Sequence, residues 1–416
     1  MNLGEGNGVT TCRSSGTALV KVLDLGLQPL GNGFRQPDDE SPEPFFHLEC
    51  GFAEKSCLFQ LIQQPAPEAM FHDDYAFQTG SSLFMVSHFT DIARHLRRRY
   101  LLTTRDPFVV EIGCNDGTFL KSFAADGIRH LGVEPSANVA GMAASAGINV
   151  TPTFFSKESA FGIEERYGKA DLIFAANVMC HIGQIQDVAE GISSLLGPTG
   201  VFVFEDPYLG SVVERNSYDQ IYDEHVFLFS ALSVGEIFAP HGLQLIDVEW
   251  LPVHGGSMRY TLAKSRSRSP GATVMERLAW ERHLGLDRTE TYLRFAERVA
   301  QSGQRLRDFL ASLVAEGLDV VAYGATSKST TVYNYSRIDT DLIRCIYDNT
   351  PSKQGRVSPG VHIPVYAEEG FADSGADVAY LGAWNHANEI TTRNSFFTER
   401  GGRWLTHVPE VSLIET

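Results

Sequence analysis

Four short apolar runs, at 108–112, 130–134, 172–176 and 201–205, alternate with stretches of helical periodicity, and that alternation constrains the fold more than any other feature. Strands spaced this way, with helices between them, imply a parallel, doubly wound α/β sheet of the Rossmann-like kind. A second α/β unit opens at Val320-Val321-Ala322-Tyr323-Gly324-Ala325-Thr326, with later strands expected at 342–348 and 378–381. Residues 272–316 are helical in pattern. Ahead of both sheets lies a loop-rich unit with a strand at 18–26 and three of the six cysteines, Cys12, Cys50 and Cys57. At 416 residues the chain is too long for one ordinary core. The expected division is a small N-terminal domain over 1–70, a cofactor-binding domain over 71–265, a helical connector over 266–316 and a C-terminal α/β domain over 317–416.

The formal net charge of -17 argues against nucleic acid or an anionic membrane as the main partner. The one basic run, Arg94-His95-Leu96-Arg97-Arg98-Arg99, reads as a solvated helix face rather than a phosphate site. The N-terminus has no basic-then-apolar pattern, and no apolar run approaches the roughly 20 residues of a membrane span. Six cysteines without an export signal fit a reducing cytoplasm. A soluble, cytoplasmic, monomeric protein is expected.

The segment Glu111-Ile112-Gly113-Cys114-Asn115-Asp116-Gly117 ends the first of those strands in a glycine-bearing turn. Gly113 and Gly117 let backbone amides approach a bound group, since no β-carbon stands in the way. Glu134, about twenty residues on, ends the next strand, where a carboxylate accepts hydrogen bonds from both hydroxyls of a ribose. The turn is not G-x-G-x-x-G, and its Asn115-Asp116 pair would repel a pyrophosphate. A sulfonium and an amino group suit it better, which favours S-adenosylmethionine over NAD. Asn177, at the end of the third strand, gives the site a further polar group.

About a hundred residues later, Tyr222-Asp223-Glu224-His225 crowds a phenol, two carboxylates and an imidazole into four positions, then runs into Val226-Phe227-Leu228-Phe229. Polar groups beside apolar surface are where a proton can be moved away from bulk water.

With these segments in view, the chain resembles the sugar C-methyltransferases, which act on nucleotide-linked keto-deoxysugars in deoxysugar and antibiotic biosynthesis. The resemblance runs nearly end to end. It includes Leu23-Asp24-Leu25-Gly26-Leu27-Gln28-Pro29-Leu30-Gly31-Asn32, the cofactor turn, Cys180-His181-Ile182, the Tyr222 cluster and Val253-His254-Gly255-Gly256-Ser257-Met258-Arg259. In the last domain it covers Tyr323-Gly324-Ala325-Thr326-Ser327-Lys328, the segment 348–356 and Ala383-Trp384-Asn385-His386.

Two departures stand out. The family usually carries zinc on two C-x-x-C pairs, but here Ser15 follows Cys12 where a thiol belongs, and Ala53 and Ser56 fall at the other ligand positions. Neither serine nor alanine replaces a thiolate on zinc. A rearranged site on Cys12, Cys50 and Cys57, or buried free thiols, are the two readings left; no metal is the expectation. The family also shows two tyrosines before the cofactor domain, whereas this chain has Tyr75-Ala76-Phe77.

The resemblance implies methylation of a carbon next to the ketone of a dTDP-4-keto-6-deoxysugar, most often C-3, with C-5 as the close alternative. Such chemistry needs a base for the α-proton and donors aimed at the enolate oxygen. His225 is the expected base, because imidazole titrates near neutral pH. Glu224 orients it, assists it or is itself the base. Tyr222 and His181 are the expected oxyanion donors, with Tyr75 as a further cleft residue. His254 reads as part of a tight turn lining the site. The substrate diphosphate would meet the Gly324-Ala325 amides and Lys328 at a strand-to-helix turn, with Asn177, Lys353 and Arg356 as further contacts. An NAD-dependent oxidoreductase using the Gly324 turn and a silent carbohydrate-binding module are the competing classes.

Overall fold

The computed structural model describes residues 8–66 and 79–414. Three sheets carry the chain, and each places part of one cleft.

The N-terminal sheet contains β1 (Val20–Pro29), β2 (Phe45–Ala53) and β3 (Leu58–Leu61), paired antiparallel in that order. The central sheet contains β4 (Phe108–Ile112), β5 (Arg129–Val133), β6 (Val150–Thr151), β7 (Ala170–Ala176) and β8 (Leu196–Pro207). A two-residue strand, β9 (Phe227–Leu228), then leaves this domain and pairs with β3 at the edge of the N-terminal sheet. The apolar run after His225 is therefore an anchor, with Phe59 opposite Leu228 and Gln60 opposite Phe227. A hairpin of β10 (Leu243–Leu251) and β11 (Ser257–Lys264) returns to the central sheet and adds two antiparallel strands beside β8.

The central order is β10-β11-β8-β7-β4-β5-β6, with β8 through β6 parallel. Winding reverses between β4 and β7, so the crevice past their carboxyl ends is where such a sheet binds ligands. All five residues of β4 are buried, as expected of a strand covered by helices on both faces.

The C-terminal sheet contains β12 (Val320–Tyr323), β13 (Ile346–Asp348), β14 (Val365–Ala367), β15 (Val378–Leu381), β16 (Arg403–Thr406) and β17 (Ser412–Ile414). Its order is β14-β13-β12-β15-β16-β17, parallel except for β17. The strand expected at 342–348 is confined to its last three residues, because 339–343 forms a turn closed by Ile343 N–H on the Asp339 carbonyl (2.9 Å).

The 27-residue helix Thr289–Ala315 joins the outer units. Tyr292 at its start packs 4.3 Å from the Phe52 ring and 5.4 Å from Phe59. One apolar core then runs from Leu25 and Phe52 through Phe295 and Leu306 to Val320 and Tyr380. The N-terminal and C-terminal units thus share a core.

The basic run closes the helix Leu83–Leu96 and continues as a wider turn over Arg97–Leu101. Arg97 pairs with Asp126, and Arg99 with the half-buried Asp247 at 2.8 Å. No described helix is long and apolar enough to cross a membrane.

Candidate active site

A cavity of about 1060 Å³ opens past the ends of β4 and β7 and takes its walls from all three sheets. It unites Glu111, Gly113, Asn115, Glu134 and Asn177 with His181, Tyr222, Glu224 and His225, and with Lys328, Lys353 and Arg356.

The cofactor wall is built by backbone strain tolerated only at chosen points. Gly113 has φ 67°, and a β-carbon there would lie 2.3 Å from Val178. Gly117 has φ 76° and faces Ile148 at 2.7 Å; it frames the turn without lining the cavity. The Glu134 carboxylate accepts from Asn115 N–H (2.9 Å) and Ser136 N–H (3.0 Å), which fixes it at the strand end. Asn177, at φ 53°, lies 3.4 Å through Nδ2 from His254 Nε2.

The acidic character of this wall comes from a different residue than the sequence suggests. Asp116 accepts from Gly80 N–H (2.7 Å) and from the Thr118 hydroxyl (2.6 Å) and does not line the cavity. Glu111 does line it, and its buried Oε2 has no hydrogen-bond partner among the described residues. Burial, with Glu134 and Asp116 nearby, holds the Glu111 carboxyl well above the usual range. A buried carboxylate aimed into a cleft is relieved by a cationic ligand. The carboxyl groups of Glu111 and Glu134 on one wall fit a ligand that carries cationic groups and hydroxyls, as S-adenosylmethionine does.

The loop 218–226 carries the Tyr222, Glu224 and His225 side chains into the cavity. Nδ1 of His225 lies 2.7 Å from the Gln220 carbonyl oxygen, which only accepts, so Nδ1 carries the proton. Nε2 then keeps its lone pair and receives the Tyr222 hydroxyl at 2.7 Å. His181 stacks on the His225 ring with centroids 5.4 Å apart. Burial keeps the surrounding imidazoles neutral: His225 sits well below the usual range, His181 at about 4 and His254 at about 3.

Glu224 does not orient His225, contrary to one expectation; Gln220 and Tyr222 do. The Glu224 Oε1 atom instead accepts from Asn32 Nδ2 at 2.8 Å. Its neighbour Asp223 accepts from Gly31 N–H at 3.1 Å.

The C-terminal wall also departs from expectation. Gly324 N–H donates to the Tyr347 carbonyl (2.8 Å) and Ala325 N–H to Asp348 Oδ2 (2.6 Å). Neither residue lines the cavity, so the pair frames the turn and offers no amide to a phosphate or to a dinucleotide. Thr326, Ser327 and Lys328 line it instead, at the start of the helix Ser327–Ser336. Lys328 makes no hydrogen bond or ion pair among the described residues, and burial lowers its ammonium below the usual range, with Asp219 opposing the shift. Lys353 lies 4.6 Å over the Phe34 ring and donates to the Ala325 carbonyl at 2.7 Å. Arg356 donates to the Phe34 carbonyl at 3.0 Å.

Several cleft residues escaped sequence reasoning. Asn32 stood at the end of a family-like stretch, and Gln220 two positions before Tyr222, but neither carries chemistry that draws notice alone. His386 also lines the cavity. Tyr75 lies outside the described residues.

Zinc is the other cofactor the resemblance implies, and the donors do not fit it. Cys12 Sγ lies 3.2 Å from Ser56 Oγ and accepts from Ser15 N–H at 3.4 Å; Ser56 also donates to the Ala53 carbonyl at 3.4 Å. Three of the four ligand positions, Cys12, Ser15 and Ser56, therefore meet, but the four together offer one thiol, two hydroxyls and a methyl group. Cys50 is fully buried on β2, and Cys57 bonds the Glu54 carbonyl. The rearranged site on Cys12, Cys50 and Cys57 is not assembled among the described residues, where the one group of three ligand-type side chains is Cys180, His181 and His225.

Residues 252–409 match the family described as "C-methyltransferase C-terminal domain", residues 86–248 a "Methyltransferase domain", and residues 12–71 a domain described as zinc binding. The chain is 33% identical over 397 residues to the C-methyltransferase NovU of Streptomyces niveus, covering 95% of this chain and 94% of that one. Likeness to solved structures is partial. A SAM-dependent methyltransferase of Anabaena variabilis aligns at 20% identity over 42% of this chain and 83% of its own, with a TM-score of 0.34. The magnesium protoporphyrin IX methyltransferase of Synechocystis aligns at 12% identity over 44% and 82%, with a TM-score of 0.33. With a carboxylate-walled cofactor turn, a doubly wound sheet and a near full-length match to a C-methyltransferase, this chain belongs to the S-adenosylmethionine-dependent C-methyltransferase family.

Proposed function

We propose that the chain methylates C-3 of a dTDP-linked 4-keto-6-deoxysugar through an enolate formed in the cleft. The observation that carries this reading is one cavity holding a neutral imidazole–phenol pair together with an acidic wall and a cationic wall. When bound, S-adenosylmethionine supplies an electrophilic methyl group on a sulfonium centre. Glu111 and Glu134 hold its cationic and ribose portions.

The hydrogen on the carbon beside the ketone leaves as a proton to Nε2 of His225. That atom is free to accept because Gln220 fixes the proton of the ring on Nδ1. Tyr222, which rests its hydroxyl on Nε2, turns that hydroxyl to the developing enolate oxygen, with His181 beside it. Burial keeps the imidazole in its basic form at neutral pH. Glu224, on the same loop, is the alternative acceptor for that proton. Lys328 and Arg356 meet the diphosphate, since cations gathered on one cavity wall in a chain of net charge -17 suit an anionic partner. Asn177 contacts the same sugar nucleotide. The carbon acceptor is supported by the relative's name, and no observation favours an oxidoreductase, whose turn at Gly324 has its amides engaged.

The test is mass spectrometry of a panel of dTDP-4-keto sugars incubated with S-adenosylmethionine and the protein, each deuterated at C-3 or C-5. Gain of one methyl with loss of the C-3 label is expected. Loss of the C-5 label moves the reaction to that carbon; no methyl gain across the panel ends the proposal.

A further inference from the structure

The N-terminal loop 30–35 is wedged between the catalytic loop and the C-terminal domain. A β-carbon on Gly31 would lie 2.8 Å from Asp223 Oδ1 and 2.9 Å from the Ser327 β-carbon, so only glycine allows the approach. The Gly31 carbonyl accepts from the Thr330 hydroxyl at 3.0 Å, while its N–H reaches Asp223 at 3.1 Å. Asn32 then uses both ends of its amide. Nδ2 donates to Glu224 Oε1 at 2.8 Å, and Oδ1 accepts from Lys353 Nζ at 3.3 Å. Lys353 is in turn held by the Ala325 carbonyl at 2.7 Å.

We propose that Asn32 is a positioning residue, by which the two outer domains hold the Glu224 carboxylate in place at the reaction cleft. The inference rests on the reading of Glu224 as part of the proton path. Glu224 is buried, and burial pushes its pKa up while the Asn32 hydrogen bond and the Lys353 charge draw it down. The other groups facing it all oppose the anion or leave it unaided. Asp223 is a buried carboxyl on the same loop, coupled to it by like charge. His225 is held neutral, and the Cys180 thiol, which feels the Glu224 charge, stays protonated. Arg35, the remaining charged side chain of the wedged loop, is engaged by Asp39 and Glu43. The Asn32 amide is thus the one neutral donor on Glu224 among the described residues, and it is oriented by Lys353 because a side-chain amide carries donor and acceptor at opposite corners.

Asn32→Asp tests this with little change of shape: the carboxylate keeps the Lys353 contact and loses the donor to Glu224. Asn32→Gln keeps the amide on a longer stem. The wild type and both variants are compared in nucleotide-sugar methylation against pH, in S-adenosylmethionine binding by calorimetry and in thermal unfolding. Infrared titration of the carboxylate band that Glu224→Gln removes is followed alongside. In N32D, kcat at neutral pH should fall roughly ten- to a hundredfold, the range for loss of a hydrogen bond to a charged group. The acidic limb of the profile and the Glu224 band should both move to higher pH. Cofactor affinity and unfolding temperature should stay near those of the wild type, and N32Q should recover part of kcat. Unchanged band and profile in N32D would overturn the proposal, as would a loss confined to unfolding temperature. A wild type that methylates no sugar, with the Glu224 band still shifted in N32D, would sink the assigned substrate and leave the positioning role standing.

Discussion

The Tyr222 hydroxyl lies 2.7 Å from Nε2 of His225, on the one imidazole nitrogen that carries no proton. The two rings are 4.0 Å apart, and both line the cleft. At rest the phenol covers the atom assigned to accept the substrate proton, so it must let go when substrate binds. Two substitutions separate these roles. His225→Ala should abolish turnover and leave S-adenosylmethionine binding nearly intact by calorimetry. Tyr222→Phe uncovers Nε2 but removes an oxyanion donor, and kcat should fall roughly a hundredfold or more. Exchange of the substrate α-hydrogen with deuterated water, followed by NMR without cofactor, should survive better in Tyr222→Phe than in His225→Ala. Equal exchange in both variants would remove His225 as the base.

Glu111 lines the cavity with a carboxyl oxygen, Oε2, that has no hydrogen-bond partner among the described residues. Glu111→Gln keeps the shape and removes the ionisable group, which a bound cation would draw into its anionic form. Binding of S-adenosylmethionine should weaken roughly tenfold or more, because a charge-assisted hydrogen bond is worth more than a neutral one. S-adenosylhomocysteine, which lacks the sulfonium charge, should lose less. Equal losses for the two ligands would show that the carboxylate senses the amino group alone.

The Cys12–Ser15–Ser56 cluster leads to a metal prediction. The full-length protein should purify with far less than one zinc per chain, and chelator should leave its unfolding temperature unchanged. Installing cysteines at positions 15, 53 and 56 restores the two C-x-x-C pairs, three of whose positions already meet, so the triple variant should take up one zinc and unfold at higher temperature. Stoichiometric zinc in the wild type, lost together with stability on chelation, would contradict the donor chemistry.

Much of the fold could be read from β-branched runs and glycine turns, since β4, β7, β12 and β15 are buried strands whose apolar character has one explanation. The places of Glu111 within β4, and of Glu134 and Asn177 just past the ends of β5 and β7, followed from the same logic. What stayed hidden depends on long-range approach. β9 is two residues long and pairs with β3 more than 160 positions away, so no local period announces it. Asn32 meets Glu224 across 192 positions. Asp116 and Glu111 illustrate a subtler limit: both are acidic and five residues apart, and only the fold decides which faces the ligand. Gly324 and Ala325 looked like phosphate donors because their turn resembles one, yet Asp348 takes the amide.

Asp206 carries the last prediction, about stability against pH. It is fully buried, Oδ2 accepts Cys180 N–H at 3.1 Å, and Oδ1 has no hydrogen-bond partner among the described residues. Burial pushes its pKa up from 3.8 to about 8. The folded form then holds a proton that the unfolded chain releases, so the contribution is fully present below the unfolded value and is lost as pH rises through the folded one. The buried histidines act the other way: His181 at about 4 and His254 at about 3 lose stability only as pH falls below their unfolded value of 6.5. Above that pH the histidines are neutral in both states and drop out. The unfolding temperature should therefore decline as pH rises from about 6.5 to about 8.5, with Asp206 and the likewise raised Asp223 and Glu111 contributing. Asp206→Asn stays neutral throughout and should flatten part of that decline, leaving the share due to the other raised carboxyls. A variant whose slope over this window matches the wild type would mean that Asp206 is ionised in the folded protein.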